Sequence, residues 1–379
     1  MYLFKKFELM EKTMAILRVE FDNILCFKKF KADFTYPKKL VKTNLDNEFL
    51  LNYPNIRYKK VNILIGTNAS GKTSLGKAIL TTFVFIRDKE AKPLKDLVSD
   101  INKKANILMD CVFPDGTFFR FEAIIQPSGI VYVRYRKIQL LKNDTYELAL
   151  SKLPETEFKP HTIALNDAIT GGWYFNFPSI DAGFGSIVCK VNPSFENEFV
   201  ETLNLVLKTF DQSINEVYKS NEAQDTYVVK FNDGRVEIVR HGYLLSELRQ
   251  LSSGTKYAIN IANVIFNIKK HQNGFYYVDE QFSYVNSDIE IACLNTMIEL
   301  LGDGEQLFFT THNEEIMNLP YPLHAFSFIK KEQKDNNFFV ELINAAQFEK
   351  RNNVTVKNLY DNDYFDISPD VSKVFKVVA

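Results

Sequence analysis

Residues 15–22, Ala-Ile-Leu-Arg-Val-Glu-Phe-Asp, alternate apolar and polar side chains, the period of a half-buried strand. Residues 27–35 repeat the pattern less cleanly. After a largely polar stretch through Lys60, the run Val61-Asn62-Ile63-Leu64-Ile65 ends at Gly66. It predicts a short buried strand, followed by a helix from Lys72. Strand-like runs at 106–113, 117–126, 130–140 and 145–151 then predict a β-meander. Its turns fall at Pro114-Asp115-Gly116, Pro127-Ser128-Gly129 and Lys142-Asn143-Asp144; in the first two Gly supplies positive φ and Pro presets the first turn residue.

Residues 154–195 are irregular, rich in Gly and Pro, and hold the only tryptophan, Trp173. They read as a connector or a partner-facing insertion. Over 196–219 the period becomes helical, with Phe199, Leu203, Val206, Leu207, Phe210, Ile214 and Val217 on one side. A hairpin is predicted over 226–240 around Asn232-Asp233-Gly234. From residue 243 helix and strand alternate: helix 255–270, strand 275–279, helix 287–301, strand 306–311. That alternation implies an α/β fold whose parallel sheet is covered by helices.

Composition narrows the picture only a little. Forty-six basic against 47 acidic residues leave a net charge of -1, so no global field draws the chain to nucleic acid or anionic lipid. Residues 1–60 are locally basic, with 13 Lys and Arg against 7 Asp and Glu, Lys28, Lys29, Lys31, Lys38, Lys39 and Lys42 prominent. This is either a solvated rim or a phosphate-backbone contact surface. Cys26, Cys111, Cys189 and Cys293 have no metal-ligand spacing, as in a reduced cytoplasmic protein without structural disulfides. The first ten residues are broken by charges and no apolar run nears the ~20 residues a membrane helix needs, so no membrane association is expected.

The chemistry enters with Gly66-Thr67-Asn68-Ala69-Ser70-Gly71-Lys72-Thr73, a full G-x-x-x-x-G-K-[ST] match between a predicted strand and helix. Backbone N–H groups of such a loop, from Gly66 through Asn68, Ala69, Ser70 and Gly71 to Ser74, cradle phosphates at the positive end of the helix. Lys72 would reach the β- and γ-phosphates, and the Thr73 hydroxyl would ligate Mg2+. Leu251-Ser252-Ser253-Gly254-Thr255 opens another helix, and Ser side chains with a Gly N–H at a helix start form an anion site. Alone, that sequence is equally a common N-cap.

Gly274-Phe275-Tyr276-Tyr277-Val278-Asp279-Glu280 is a buried strand delivering two acids to its carboxyl end. Asp279 would hold Mg2+ and Glu280 would polarise the attacking water. Two carboxylates there are costly without a cation. Gln306 to His312 is a further buried strand with a polar tip, placing His312 to sense the γ-phosphate.

In this order the motifs resemble the ABC-type ATPases, in their soluble RecF/SMC-like branch. In that class Leu251 to Thr255 looks like the signature motif, Asp279 the Walker B aspartate, Glu280 the catalytic glutamate and His312 the switch histidine. Asn286 and its neighbours look like the D-loop, although many relatives carry Asp or His there. The Q-loop glutamine is Gln126 or Gln139, with Gln126 favoured, and an adenine-stacking aromatic is expected within 53–60, at Tyr58.

Thr310-Thr311-His312-Asn313, the signature wording, and the tail from Asn358-Leu359-Tyr360 to Ser368-Pro369-Asp370 are similar to AAA-annotated ATPases of the overcoming-lysogenization-defect and abortive-infection antiphage group. The resemblance implies a P-loop NTPase with an ABC-ATPase-like mixed sheet, an antiparallel β subdomain and a small helical subdomain. It divides the chain into 1–153 (P-loop half of the head, with the meander), 154–242 (insertion, helix and hairpin), 243–319 (signature, Walker B and switch-histidine half) and 320–379 (C-terminal strands and tail).

Because the class closes each ATP between the P-loop of one subunit and the signature of another, the resemblance implies a homodimer, or a higher oligomer, around sandwiched ATP. Ser253 and the Gly254 N–H would then cap the γ-phosphate across the interface. The 196–219 helix is far too short for the SMC coiled coil. Asp361, Asp363 and Asp366 do not form the acidic triad of a Toprim nuclease, so a separately encoded effector is expected. The alternative is a RecF-like DNA-binding ATPase of repair or recombination, using the basic N-terminal region.

Overall fold

A computed structural model describes residues 14–36, 44–162, 171–178, 193–223, 226–240, 243–244, 253–283, 285–334, 337–349, 354–367 and 375. The chain divides into two compact units, one comprising residues 1–13 and 171–309, the other residues 14–170 and 310–379.

The second unit contains the phosphate-loop sequence. Its larger sheet runs in the order Phe30–Asp33, Ala15–Asp22, Ala105–Val112, Thr117–Ile125, Val131–Gln139, Lys159–Pro160. Every neighbouring pair in it is antiparallel. The alternation at 15–22 does what its period dictates: Leu17, Val19 and Phe21 are buried while Arg18, Glu20 and Asp22 are partly exposed. The polar face is laced by ion pairs. Arg120 makes a two-pronged pair with Asp110 at 2.6 Å, and Arg134 and Arg136 both reach Glu122 at 2.8 Å.

In the same unit, the wholly buried strand Val61–Ile65 pairs in parallel with Phe326–Lys334, with Ile63 opposite Phe326 and Ile65 opposite Phe328. Phe326–Lys334 turns back antiparallel into Asn337–Asn344. The helix Lys72–Asp88 follows the first of these strands, with Leu75, Ala78, Ile79, Phe83 and Ile86 buried along one face.

In the first unit the buried strands Trp173–Asn176 and Phe275–Asp279 run parallel, and the strand Gln306–Thr311, whose residues 306–309 belong to this unit, neighbours the latter. A separate antiparallel sheet, Ile214–Lys219, Thr226–Phe231, Val236–Arg240, Tyr243–Leu244, packs on the helices Glu196–Phe210 and Ser253–Lys269. Phe199, Leu203, Tyr227, Phe231 and Phe266 fill the space between them.

Three expectations are corrected. Residues 146–151 are a helix rather than a strand, because Thr145 caps it by accepting from Leu148 N and Tyr-Glu-Leu-Ala-Leu is good helix former. The helix from 196 ends at Phe210, and 214–219 is a strand. A bulge between Ile214 and Glu216 puts Ile214 and Val217, three residues apart, on one face of that strand, which imitates helical spacing. Trp173 is no connector residue: it is 5% exposed in a core strand, parallel to Phe275.

Candidate functional site

The loop after Val61–Ile65 is shaped by two positive φ angles, Ala69 at 59° and Gly71 at 122°. Ser70 N donates to Thr67 O at 3.2 Å, closing a tight turn whose residues Thr67, Asn68 and Ala69 are exposed. Gly66 has no room for a side chain, since a Cβ there would lie 2.7 Å from Ile329 O and 2.7 Å from Ser70 Oγ. The 17-residue helix that follows is capped by Gly71, with no side-chain cap bond and no acid in its first turn. Its ladder begins with Leu75 N donating to Gly71 O at 2.9 Å, so the preceding N–H groups belong to the helix terminus. A long helix started this way keeps its positive end available to an anion.

Lys72 is 2% exposed, and its Nζ donates to Gly66 O at 2.7 Å and Thr67 O at 3.3 Å. The ammonium is thus held over the loop. His312, exposed beyond Thr311, brings Nδ1 to 2.9 Å from Gly66 O and 3.4 Å from Lys72 Nζ. The carbonyl can only accept and the ammonium can only donate, so the two contacts ask opposite roles of Nδ1, and the shorter is the one to Gly66 O. Ser70 is 2% exposed and its Oγ has no hydrogen-bond partner among the described residues. A buried hydroxyl in a phosphate-binding loop, lacking a protein partner, fits a polyphosphate ligand. Thr73 and Ser74, in the first helical turn, are partly exposed.

One neighbour had no sequence signal. Cys26 Sγ sits 3.3 Å from where a Gly71 Cβ would be, and the thiol is hydrogen-bonded with the Ser74 side chain. Burial pushes that thiol up. Asn23, Leu25 and Lys29 in the same segment have positive φ (59°, 48° and 50°), an arrangement that no periodicity announces.

In the other unit, Phe275–Asp279 is buried throughout and Asp279 is wholly buried at its end. Glu280 follows with φ 45°, partly exposed. Asn286 caps the helix Ser287–Leu300 by accepting from Asp288 N at 2.7 Å. Ser253 and Gly254 open the helix Ser253–Lys269, while Leu251 and Ser252 lie outside the described residues.

The loop, Lys72 and His312 therefore come together within one unit, and Asp279 and Glu280 adjoin in the other. Gln126 is placed in the turn between two meander strands, its N–H donating to Ile130 O at 2.9 Å and its carbonyl accepting from Gly129 N at 2.8 Å. Gln139 bonds Asp115 O at 2.6 Å. Tyr58 has no exposed surface and packs with Leu17, Ile56 and Phe118, so it offers no face to an adenine. Among the described residues no three His, Cys, Asp or Glu side chains cluster as a metal site, and no helix is long and apolar enough to cross a membrane.

No protein-family model and no curated protein matches the sequence. Solved structures do match. An SMC head bound to the C-terminal winged-helix domain of ScpA aligns over 89% of this chain and 100% of its own, at 14% identity and a TM-score of 0.51. The SMC head with an extended coiled coil from Pyrococcus furiosus, bound to the C-terminal domain of ScpA, aligns over 88% and 97%, at 12% identity and a TM-score of 0.51. The chain has the fold of an SMC head domain. The mixed α/β, ABC-ATPase-like architecture expected from the motif order is thereby shown, and at these identities the likeness is one of fold.

Proposed function

We propose that the chain binds and hydrolyses ATP, and that ATP-dependent dimerisation of the head switches a partner effector. The observation that carries the reading is the cradle itself. A glycine-capped helix without a side-chain cap bond, a buried Lys72 over the loop and a Ser70 Oγ with no hydrogen-bond partner among the described residues support a site for a triphosphate.

Magnesium suits the donor chemistry, because Thr73 offers a hydroxyl and Asp279 a carboxylate, the hard oxygen ligands this ion takes. Glu280 is the base that polarises water, and His312 the γ-phosphate sensor. Dimerisation follows from the signature reading of Ser252, Ser253 and Gly254, which would close over the nucleotide of a second copy. The SMC heads of like fold are bound to ScpA domains, which supports a head of this shape carrying a protein partner. An antiphage role for that partner rests on the resemblance of the motif wording alone.

Lys72→Ala and Glu280→Gln test the reading together. Lys72→Ala should abolish ATP binding, measured by calorimetry. Glu280→Gln should bind ATP, lose about 10²–10⁴ in turnover and accumulate as the ATP-bound dimer by light scattering. Normal ATP affinity in the first variant, or normal hydrolysis in the second, would overturn it.

A second reading has one observation behind it, the exposed Lys28, Lys29 and Lys31. These suit a duplex backbone, although Lys31 is paired with Glu20 at 3.3 Å. Duplex binding that weakens steeply with salt, and is lost on changing the three lysines, would favour a RecF-like role.

A further inference from the structure

Glu280 takes a left-handed backbone conformation, φ 45°, that L side chains seldom hold unless their surroundings impose it. Two side chains downstream grip the peptides on either side of it. Gln281 Nε2 donates to Asp279 O at 2.9 Å, and Ser283 Oγ donates to Glu280 O at 3.2 Å. The Asp279 carbonyl belongs to the peptide that leads into Glu280. The ring closed by the Gln281 bond therefore contains both φ and ψ of Glu280. The Ser283 bond orients the peptide that leaves Glu280, and so constrains ψ a second time. With both peptides held, the Cα–Cβ bond of Glu280 has one direction.

The cost of this arrangement says what it is for. Gln281 has no exposed surface, and its Oε1 makes no hydrogen bond among the described residues. A buried amide with an unsatisfied acceptor destabilises a fold, and an apolar side chain of similar length would fill the same space without that penalty. What such a side chain would lack is the amide donor aimed at the peptide before Glu280. We infer that Gln281 is a positioning residue which, with Ser283, sets the direction of the Glu280 carboxylate; this rests on the hydrolytic reading of Glu280 given above.

The test is a double-mutant cycle on the full chain, with steady-state turnover, KM for ATP and thermal unfolding measured for each variant. Gln281→Met should lower kcat about tenfold, the scale on which misplacing a catalytic group costs rate, with KM within about twofold and no fall in the unfolding temperature. In a Glu280→Gln background, followed by single-turnover hydrolysis of labelled ATP, the same change should lower the residual rate less than about twofold, because the group it positions is gone. Ser283→Ala, at an exposed position, should lower kcat by a smaller factor and show the same lack of additivity.

Wild-type kcat in Gln281→Met, or an undiminished tenfold loss in the Glu280→Gln background, overturns the inference while leaving Glu280 as the base. Should Gln281→Met not fold, Ser283→Ala decides, and wild-type kcat there overturns it. Glu280→Gln turning over like the wild type removes the hydrolytic reading itself, and the inference with it.

Discussion

His312 Nδ1 lies 2.9 Å from Gly66 O, the carbonyl to which Lys72 Nζ donates at 2.7 Å. Two side chains far apart in sequence thus converge on the first residue of the phosphate loop. A histidine tied to the loop backbone is suited to report how the loop and its lysine are arranged, which is a different task from donating to phosphate directly. His312→Ala should therefore leave ATP binding within a few-fold of wild type and lower kcat by about tenfold or more, within the range general acid–base and electrostatic groups contribute. Isothermal titration and a phosphate-release assay check the two halves. A large loss of affinity with unchanged kcat would assign His312 to ground-state binding instead.

Gly66 is enclosed by two oxygens, one of which belongs to the backbone and cannot swing away. A Cβ would lie 2.7 Å from Ile329 O and from Ser70 Oγ. Gly66→Ala must push the loop off the Phe326–Lys334 strand, at about 1–3 kcal/mol, the usual cost of overpacking a tight contact. Denaturant unfolding should show the loss of stability, and ATP affinity should fall with it. A variant with wild-type stability and affinity would mean that the loop relaxes freely here.

Much of this was legible from the chain, and what was hidden has physical reasons. Strands 15–22, 61–65, 275–279 and 306–311 announce themselves because the first alternates from Leu17 to Asp22 and the others are mostly apolar, and burial follows, extending to the polar Asn62, Asp279, Gln306, Thr310 and Thr311. The loop is readable because its glycines and lysine are needed at fixed spacing by the backbone geometry. The bulge that puts Ile214 beside Val217 is not readable, since a bulged strand and a helix share the three-residue spacing. Nor is the left-handed turn at Glu280, because glutamate has no propensity for it and only the bonds from Gln281 and Ser283 reveal how it is held. Cys26 reaches Gly71 through a segment with three positive φ angles, a path no local rule foresees.

The helix at 146–151 depends on a single side chain for its start. Thr145 Oγ1 accepts from Leu148 N at 3.3 Å, and beyond it Tyr146 buries its ring and donates its hydroxyl to Asp110 at 2.6 Å. Thr145→Ala should cost about 1 kcal/mol of stability, typical of a lost N-cap, and Thr145→Ser should restore most of it. Urea unfolding of the three proteins decides the matter. Equal midpoints would show that Tyr146 anchors this helix without help from the cap.

Lys59 is a basic group whose charge is disfavoured by burial. It is 6% exposed, and burial, opposed by the charges of Asp33 and Glu48, lowers it from 10.5 to about 8. The Nζ donates to Asp33 O at 2.8 Å. Because the folded value lies below the unfolded one, the unfolded chain binds more protons between about pH 8 and 10.5, and stability rises with pH across that window. Below pH 8 the penalty of burying the charge is fully present. Lys59→Met removes the titration while keeping the length of the side chain, so the difference between the two proteins isolates this one group. From pH 7.5 to 9.5 the wild type should gain on the variant by about 1–2 kcal/mol, at ~1.4 kcal/mol per pH unit once the folded group deprotonates. Denaturant midpoints measured at half-unit intervals would show the two curves converging. Parallel curves would mean that Lys59 keeps its ordinary affinity for the proton inside the fold.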